Sequence, residues 1–255
     1  MCRLCLFRKG DSIGILKSTF MAQSTPSTTS DIVSKSQPKT DKLPGIHYVV
    51  YPVCWSLVWI YYRLGGRKVY GRENVPRKGA VIFASNHVSL LDPPALNLAL
   101  PRVPRTMAKA ELFKGFWGWV VTGLGAFPVR RGAPDRTAIR SALKVLKAGI
   151  PLSVFPEGTR SRDGNLGPAG RGFAYIVHSA KVPVIPVYLH GNENTLSPPH
   201  PGFRLVRNDV WFGPALDFEK ECQEKATKEV LDSISERVMA AIAELRDQAR
   251  SDQVK

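Results

Sequence analysis

The stretch Ala80-Val81-Ile82-Phe83-Ala84-Ser85-Asn86-His87-Val88-Ser89-Leu90-Leu91-Asp92 decides how this chain is read. Its first six residues carry no charge and form the short apolar run expected of a strand buried on both faces, as in a parallel sheet. Polar residues then appear at Asn86, His87, Ser89 and Asp92, just before Pro93 and Pro94. That order suits a loop running into a helix, with Asp92 as N-cap and proline in the first turn. Along a regular helix, five residues would rotate Asp92 about 140° away from His87. The two side chains meet only if the backbone turns between them. A histidine held by a carboxylate is a good general base near neutral pH, because the carboxylate selects the tautomer and stabilises the imidazolium. A surface histidine beside a helix-capping aspartate accounts for the same residues.

Downstream, short strand-like runs alternate with helical ones. The pattern predicts helices over 95–100, 112–124, 136–148 (capped by Asp135), 172–180 and along 226–246, where Val230, Ile234, Val238, Ala241 and Leu245 share a stripe. Strands are expected over 126–130, 152–155, 182–189 and 204–212. Such alternation implies an α/β fold: a mixed, mostly parallel sheet flanked by helices.

Upstream, Tyr48 to Tyr62 (YVVYPVCWSLVWIYY) is uncharged and aromatic, with Pro52 inside it. As a helix it spans about 22 Å, short of the roughly 30 Å hydrocarbon core of a bilayer. Arg63, Arg67, Lys68, Arg72, Arg77 and Lys78 follow, opposed only by Glu73. An apolar aromatic segment beside a basic cluster suits an anionic membrane interface; a buried core helix of this length is the alternative. Three regions result: a disordered tail over 1–43, a membrane-associated helical segment over 44–66, and a folded domain over 67–250. The tail is rich in Ser, Thr and Lys, which cannot offset ordering entropy. No secretory signal is read in it, and Met21 is an alternative start.

Of 255 residues, 36 are Lys or Arg and 21 Asp or Glu, a formal charge of +15, which favours an anionic partner. The four cysteines show no disulfide framework, and Cys2 and Cys5 lack a second pair at zinc-site spacing. No helix-turn-helix, zinc or RNA-binding signature accompanies the charge, so nucleic acid is not the expected partner.

Three further blocks carry chemistry or packing. Phe155-Pro156-Glu157-Gly158-Thr159-Arg160-Ser161 follows a strand; Gly158 permits close backbone approach, Thr159 and Ser161 supply hydroxyls, and Arg160 can grip a phosphate. A β-turn with an Arg–Glu surface pair is the plainer reading of the same block. Gly125-Ala126-Phe127-Pro128-Val129-Arg130-Arg131 ends a strand in two guanidiniums, and Val184 to Val187 reads as packing.

The four blocks, in this order, resemble those of the glycerophospholipid acyltransferases, in particular the PlsC-type 1-acylglycerol-3-phosphate (lysophosphatidic acid) acyltransferases. The NHxxxxD block matches at Asn86, His87 and Asp92, the third block fully as FPEGTRS, and Lys109-Ala110-Glu111-Leu112 is similar to the family's Lys-x-Glu-Leu segment. The resemblance implies His87 as general base and Asp92 as its orienting partner. It assigns acceptor-phosphate contacts to Lys109, Arg130 and Arg160, and puts Glu157, Gly158 and Thr159 in the acceptor site. It implies transfer of a fatty acyl group from acyl-carrier protein (acyl-ACP) or acyl-CoA to the sn-2 hydroxyl of a lysophospholipid acceptor, with no metal and no cofactor beyond that co-substrate. A membrane-associated enzyme at the cytoplasmic face of the inner (plasma) membrane is expected. Glycerol 3-phosphate or a lyso-aminolipid as acceptor, and a non-catalytic membrane adaptor, are the competing readings. No GxSxG nucleophile elbow is present, which favours direct attack over an acyl-enzyme.

Overall fold

Seven strands form one sheet in the order β1-β7-β6-β2-β5-β3-β4. The structure, a computed structural model, describes residues 47–130 and 135–253; the tail over 1–43 and Arg131 therefore lie outside the described residues. The strands are β1 (Lys68–Tyr70), β2 (Ile82–Ser85), β3 (Arg105–Lys109), β4 (Ala126–Val129), β5 (Leu152–Val154), β6 (Val184–His190) and β7 (Asp209–Phe212). Strands β6, β2, β5, β3 and β4 run parallel, while β7 is antiparallel to β6 and carries β1 with it. The expected mixed, mostly parallel sheet is found.

Helices cover both faces, as parallel strands require. Alternate residues of β2 point to opposite cores. On one side Ile82 and Ala84 meet α4 (Arg136–Lys147), α5 (Arg171–Ala180) and α7 (Lys228–Gln253) through Ala142, Leu146, Ile176, Ile234, Val238 and Ile242. On the other, Phe83 and, just before the strand, Val81 meet Ala95, Leu96 and Ala99 of α2 (Asp92–Ala99) and Tyr62 of α1 (His47–Leu64). The remaining helices are α3 (Gly115–Gly123) and α6 (Glu219–Gln223). Asp135 caps α4 as its position suggested, its Oδ1 accepting from the backbone N–H of Thr137 and Ala138 at 3.0 Å.

Pro186 is tolerated in an inner strand for a geometric reason. Its carbonyl faces the β7 side, accepting from Gly213 N–H at 2.9 Å, and the β6–β7 register begins only at Val187↔Phe212. The missing donor thus points past the end of β7.

Three expectations need correction. Residues 204–208 are not strand: only Asp209–Phe212 pair, and the preceding segment is a loop with Arg204, Leu205 and Arg207 exposed. The helix expected over 112–124 is broken at Lys114, with a 3-10 turn over Ala110–Phe113 before α3. Asp92 is not an N-cap; it is the first residue of α2, after Leu91, because its carboxylate is turned back into the loop before it.

Candidate active site

All five parallel strands end at the same edge, and ligands of open α/β sheets sit beyond that edge. Strand β2 delivers the Asn86–Asp92 turn there. Asn86 extends the ladder after β2 has left it: its side-chain amide donates to Leu189 O at 3.0 Å, and its Oδ1 accepts from Leu189 N–H at 2.7 Å. The asparagine therefore acts as a side-chain rung tying the turn to β6.

Beyond it the backbone curls around one carboxylate. Asp92 Oδ2 lies 2.8 Å from His87 Nδ1 and accepts from the N–H groups of Val88 at 2.6 Å and Ser89 at 2.7 Å. Asn192 Nδ2 donates to Oδ1 at 2.9 Å. Asp92 is fully buried and His87 is 8% exposed. Two backbone donors and one amide stabilise the buried negative charge, which would otherwise be costly. The turn that the His–Asp pairing demanded is thus made by the carboxylate itself.

The FPEGTRS loop braces the histidine from β5, the neighbouring strand. Glu157 Oε1 accepts from His87 N–H at 3.2 Å and Ser161 N–H donates to His87 O at 2.7 Å, so the loop grips His87 on both sides. The Phe155 ring stacks on the imidazole, centroids 4.2 Å apart and 26° between planes. The other Glu157 oxygen accepts from Gly167 N–H at 3.1 Å. Both oxygens thus face backbone donors, where the resemblance had put Glu157 among acceptor contacts. Burial pushes its pKa above the ordinary carboxylate value, while those two N–H groups pull the other way. Gly158 donates to Phe155 O and holds φ at +70°, a conformation that other residues resist. Thr159 beside it is exposed.

The cationic residues are arranged differently. Arg160 reaches over the turn, its Nη1 3.4 Å from Leu196 O, the carbonyl that also receives Leu90 N–H. Lys109 ends β3, partly exposed, and lies 3.6 Å from the exposed Glu111. Arg130 follows β4 and is exposed, its backbone N–H held by Asp135 Oδ2 at 2.8 Å. At about 4.8 Å per strand, Lys109 and Arg130 stand roughly 10 and 14 Å from the line of β2. The structure therefore brings His87, Asp92, Glu157 and Arg160 together and spreads Lys109 and Arg130 along the rim.

A family model described as Acyltransferase matches residues 66–190, a span that holds every one of these groups except Asn192 and Leu196. The 1-acyl-sn-glycerol-3-phosphate acyltransferase of Bacillus subtilis is 34% identical over 145 residues, covering 56% of this chain and 72% of the relative. The chain belongs to the PlsC-type acyltransferase family. Within this family, the chloroplastic 1-acyl-sn-glycerol-3-phosphate acyltransferase BAT2 of Brassica napus is 33% identical over 54% of this acyltransferase, which spans only 40% of that longer protein. The crystal structure of the 1-acyl-sn-glycerophosphate (LPA) acyltransferase PlsC from Thermotoga maritima superposes with a TM-score of 0.59 at 25% identity, covering 79% of this chain and 90% of that one.

Two contributors to the site escaped sequence reading. Asn192 lies 100 positions from Asp92, and its only local signal is Gly191, which turns with φ +95° after β6. Tyr62, read as interfacial, is 2% exposed, donates its hydroxyl to Leu91 O at 2.9 Å and receives Arg67 over its ring. The last turn of α1 is thereby part of the wall behind the dyad.

Proposed function

We propose that this acyltransferase moves a fatty acyl group from an acyl thioester, acyl-ACP or acyl-CoA, to the sn-2 hydroxyl of 1-acylglycerol 3-phosphate, forming phosphatidic acid in phospholipid biosynthesis. The observation that carries the reading is the 2.8 Å contact between His87 Nδ1 and Asp92 at the strand-end edge. With Nδ1 committed to the carboxylate, Nε2 is the basic nitrogen. It takes the hydroxyl proton as the oxygen attacks the thioester carbon. The tetrahedral intermediate then expels the thiolate, which takes the proton back from the imidazolium and leaves as thiol. The ester bond forms, the thioester bond breaks, and His87 ends neutral. This chemistry needs neither metal nor cofactor. Its charge cost falls on the imidazolium, which the buried Asp92 offsets.

The acceptor assignment is supported by the names of the Bacillus subtilis and Brassica napus relatives, both 1-acyl-sn-glycerol-3-phosphate acyltransferases, and by cations suited to a phosphate. Arg160, beside the dyad, makes the nearest contact; Lys109 and Arg130 add a longer-range field and hold the headgroup in register. Among the described residues no helix is long and apolar enough to cross a membrane. Association of α1 with an anionic leaflet, at the cytoplasmic face, is the part of the proposal that brings the enzyme to a lipid acceptor.

The test is turnover by the purified protein in mixed micelles, with labelled lysophosphatidic acid and an acyl thioester, against glycerol 3-phosphate and a lyso-aminolipid as rival acceptors. His87→Ala should lose about three orders of magnitude in kcat/KM through loss of the base. Near-normal turnover in that variant would remove His87 from the mechanism; no turnover by any form, with vesicle binding intact, would favour an adaptor.

A further inference from the structure

Helix α1 is apolar on two opposite faces. Trp55, Val58 and Tyr62 point into the domain, with Val58 and Tyr62 in the core beside α2. Val53, Leu57, Ile60 and Leu64 are all exposed, Leu57 at 61% and Leu64 at 69%. At 100° per residue these four fall within an arc of roughly 60°, opposite Tyr62. A contiguous exposed stripe of this kind marks a surface made to be covered.

A second element continues the stripe. The segment between β6 and β7 carries Phe203, 66% exposed, and Leu205, 58% exposed. It is a tightly braced loop. Arg204 N–H donates to Thr195 Oγ1 at 3.0 Å, Leu196 N–H to Gly202 O at 3.1 Å, and Asn208 Nδ2 to His190 O at 3.2 Å. Its tip is bound to α1: the Tyr61 hydroxyl donates to Arg204 O at 2.8 Å and its ring lies 5.1 Å from that of Phe203. The close approach continues at Gly65, where an added Cβ would stand 2.3 Å from Val206 O. At its other end the same loop meets the site, Thr195 O and Leu196 O accepting from the Ser89 hydroxyl and Leu90 N–H. A rigid frame thus holds two large apolar side chains in solvent, beside the apolar stripe and on the sheet edge that carries His87.

We propose that Phe203 and Leu205 form a second membrane-inserting element, which with the outer stripe of α1 seats the enzyme on an anionic lipid leaflet and turns the His87 edge toward it. This rests on the membrane association proposed above and adds what α1 alone leaves loose, since a stripe one helix wide is a narrow footing about which the domain can still rock. Charge selects the occupant. Arg63 flanks the stripe on one side and Arg204 stands between the two loop residues, both exposed, with no carboxylate among residues 201–207. Apolar side chains interleaved with guanidiniums match acyl chains beneath anionic headgroups.

The test is co-sedimentation of the full chain with vesicles of phosphatidylcholine alone and with added phosphatidylglycerol. Comparison is with Phe203→Ser/Leu205→Ser and, separately, Leu57→Ser/Ile60→Ser. The wild type should prefer the anionic vesicles. The loop variant should partition at least about tenfold more weakly, since each withdrawn side chain forfeits apolar burial. Its thermal midpoint and its turnover of a short-chain acceptor dissolved as monomers should be unchanged. Equal binding by the loop variant and the wild type, with binding lost only in the α1 variant, would overturn the loop assignment and leave the membrane reading standing. No vesicle binding by the wild type would overturn both. A dimer of the wild type that the loop variant makes monomeric, with vesicle binding unaffected, would assign the surface to a second copy and overturn the proposal.

Discussion

Two regions share the strand-end edge of the sheet and differ in how they are held. In the turn from Asn86 to Asp92 all residues but Leu90 and Leu91 are buried, and its asparagine and aspartate are engaged by backbone or amide groups from β6, from the loop beyond it and from the turn itself. Lys109, partly exposed, and Arg130, exposed, stand at the ends of separate strands along the rim, and Arg160 bridges the two zones with a long contact to Leu196 O. A general base must meet a reacting proton within a few tenths of an ångström, which demands a rigid, desolvated frame. A phosphate clamp acts through charge over longer distances, and its mobile cations must also let the product go. The difference fits the proposed division of labour, with chemistry at the turn and affinity at the rim.

The contrast yields a ranked set of tests. After His87→Ala, the largest effect is expected from Asp92→Asn. An amide nitrogen in place of Oδ2 would face the Val88 and Ser89 donors, and an Oδ1 replaced instead would face Asn192. We expect kcat to fall about a hundredfold with KM little changed, and unfolding free energy in urea to drop by about 1–3 kcal/mol from unsatisfied buried donors. A loss confined to KM would break the contrast at its buried end. Next, Arg160→Ala should raise the acceptor KM about tenfold with kcat nearly preserved, the loss of one charge-assisted phosphate contact. Arg130→Ala should cost only a few-fold, shrinking further as salt is added. Should Arg130→Ala exceed Arg160→Ala in steady-state kinetics, the ordering by strand position is wrong.

The smallest effect belongs to Glu157. Its folded-state pKa is raised by burial, so between the ordinary carboxylate value and that raised value the folded protein holds a proton that the unfolded chain releases. That contribution is fully present at low pH and is lost as pH rises through the folded pKa. Glu157→Gln should remove this segment of the stability–pH profile, seen as a flatter curve of urea midpoints against pH above about 4.5. An unchanged slope would mean that the group's ionisation is not coupled to folding.

Much of this could be read from residues alone, and the failures are instructive. Ala80–Ser85 was legible as a buried strand because it is short and uncharged, and Asp135 as a cap because it precedes a strong apolar period. Asp92 looked like the same kind of cap and is not one. Local pattern has no means of telling whether a carboxylate will serve the helix after it or the loop before it, and here three contacts on the loop side win. The segment from Arg204 looked like strand because Leu205, Val206, Val210 and Phe212 resemble one; only the residues from Asp209 find partners in β6 and β1.

By itself, then, the sequence determined the alternation of strands and helices, the residues able to carry acid–base chemistry, and the excess of positive charge, since each follows from side-chain chemistry and spacing along the chain. Tertiary structure alone decided that the backbone turns so that His87 and Asp92 meet, that Asn192 from another strand end completes their surroundings, and that α1 shows one apolar face to the core and another to solvent. Those outcomes depend on strand order and on contacts between residues up to a hundred positions apart, for which hydrogen-bond geometry in three dimensions carries the information and linear spacing does not.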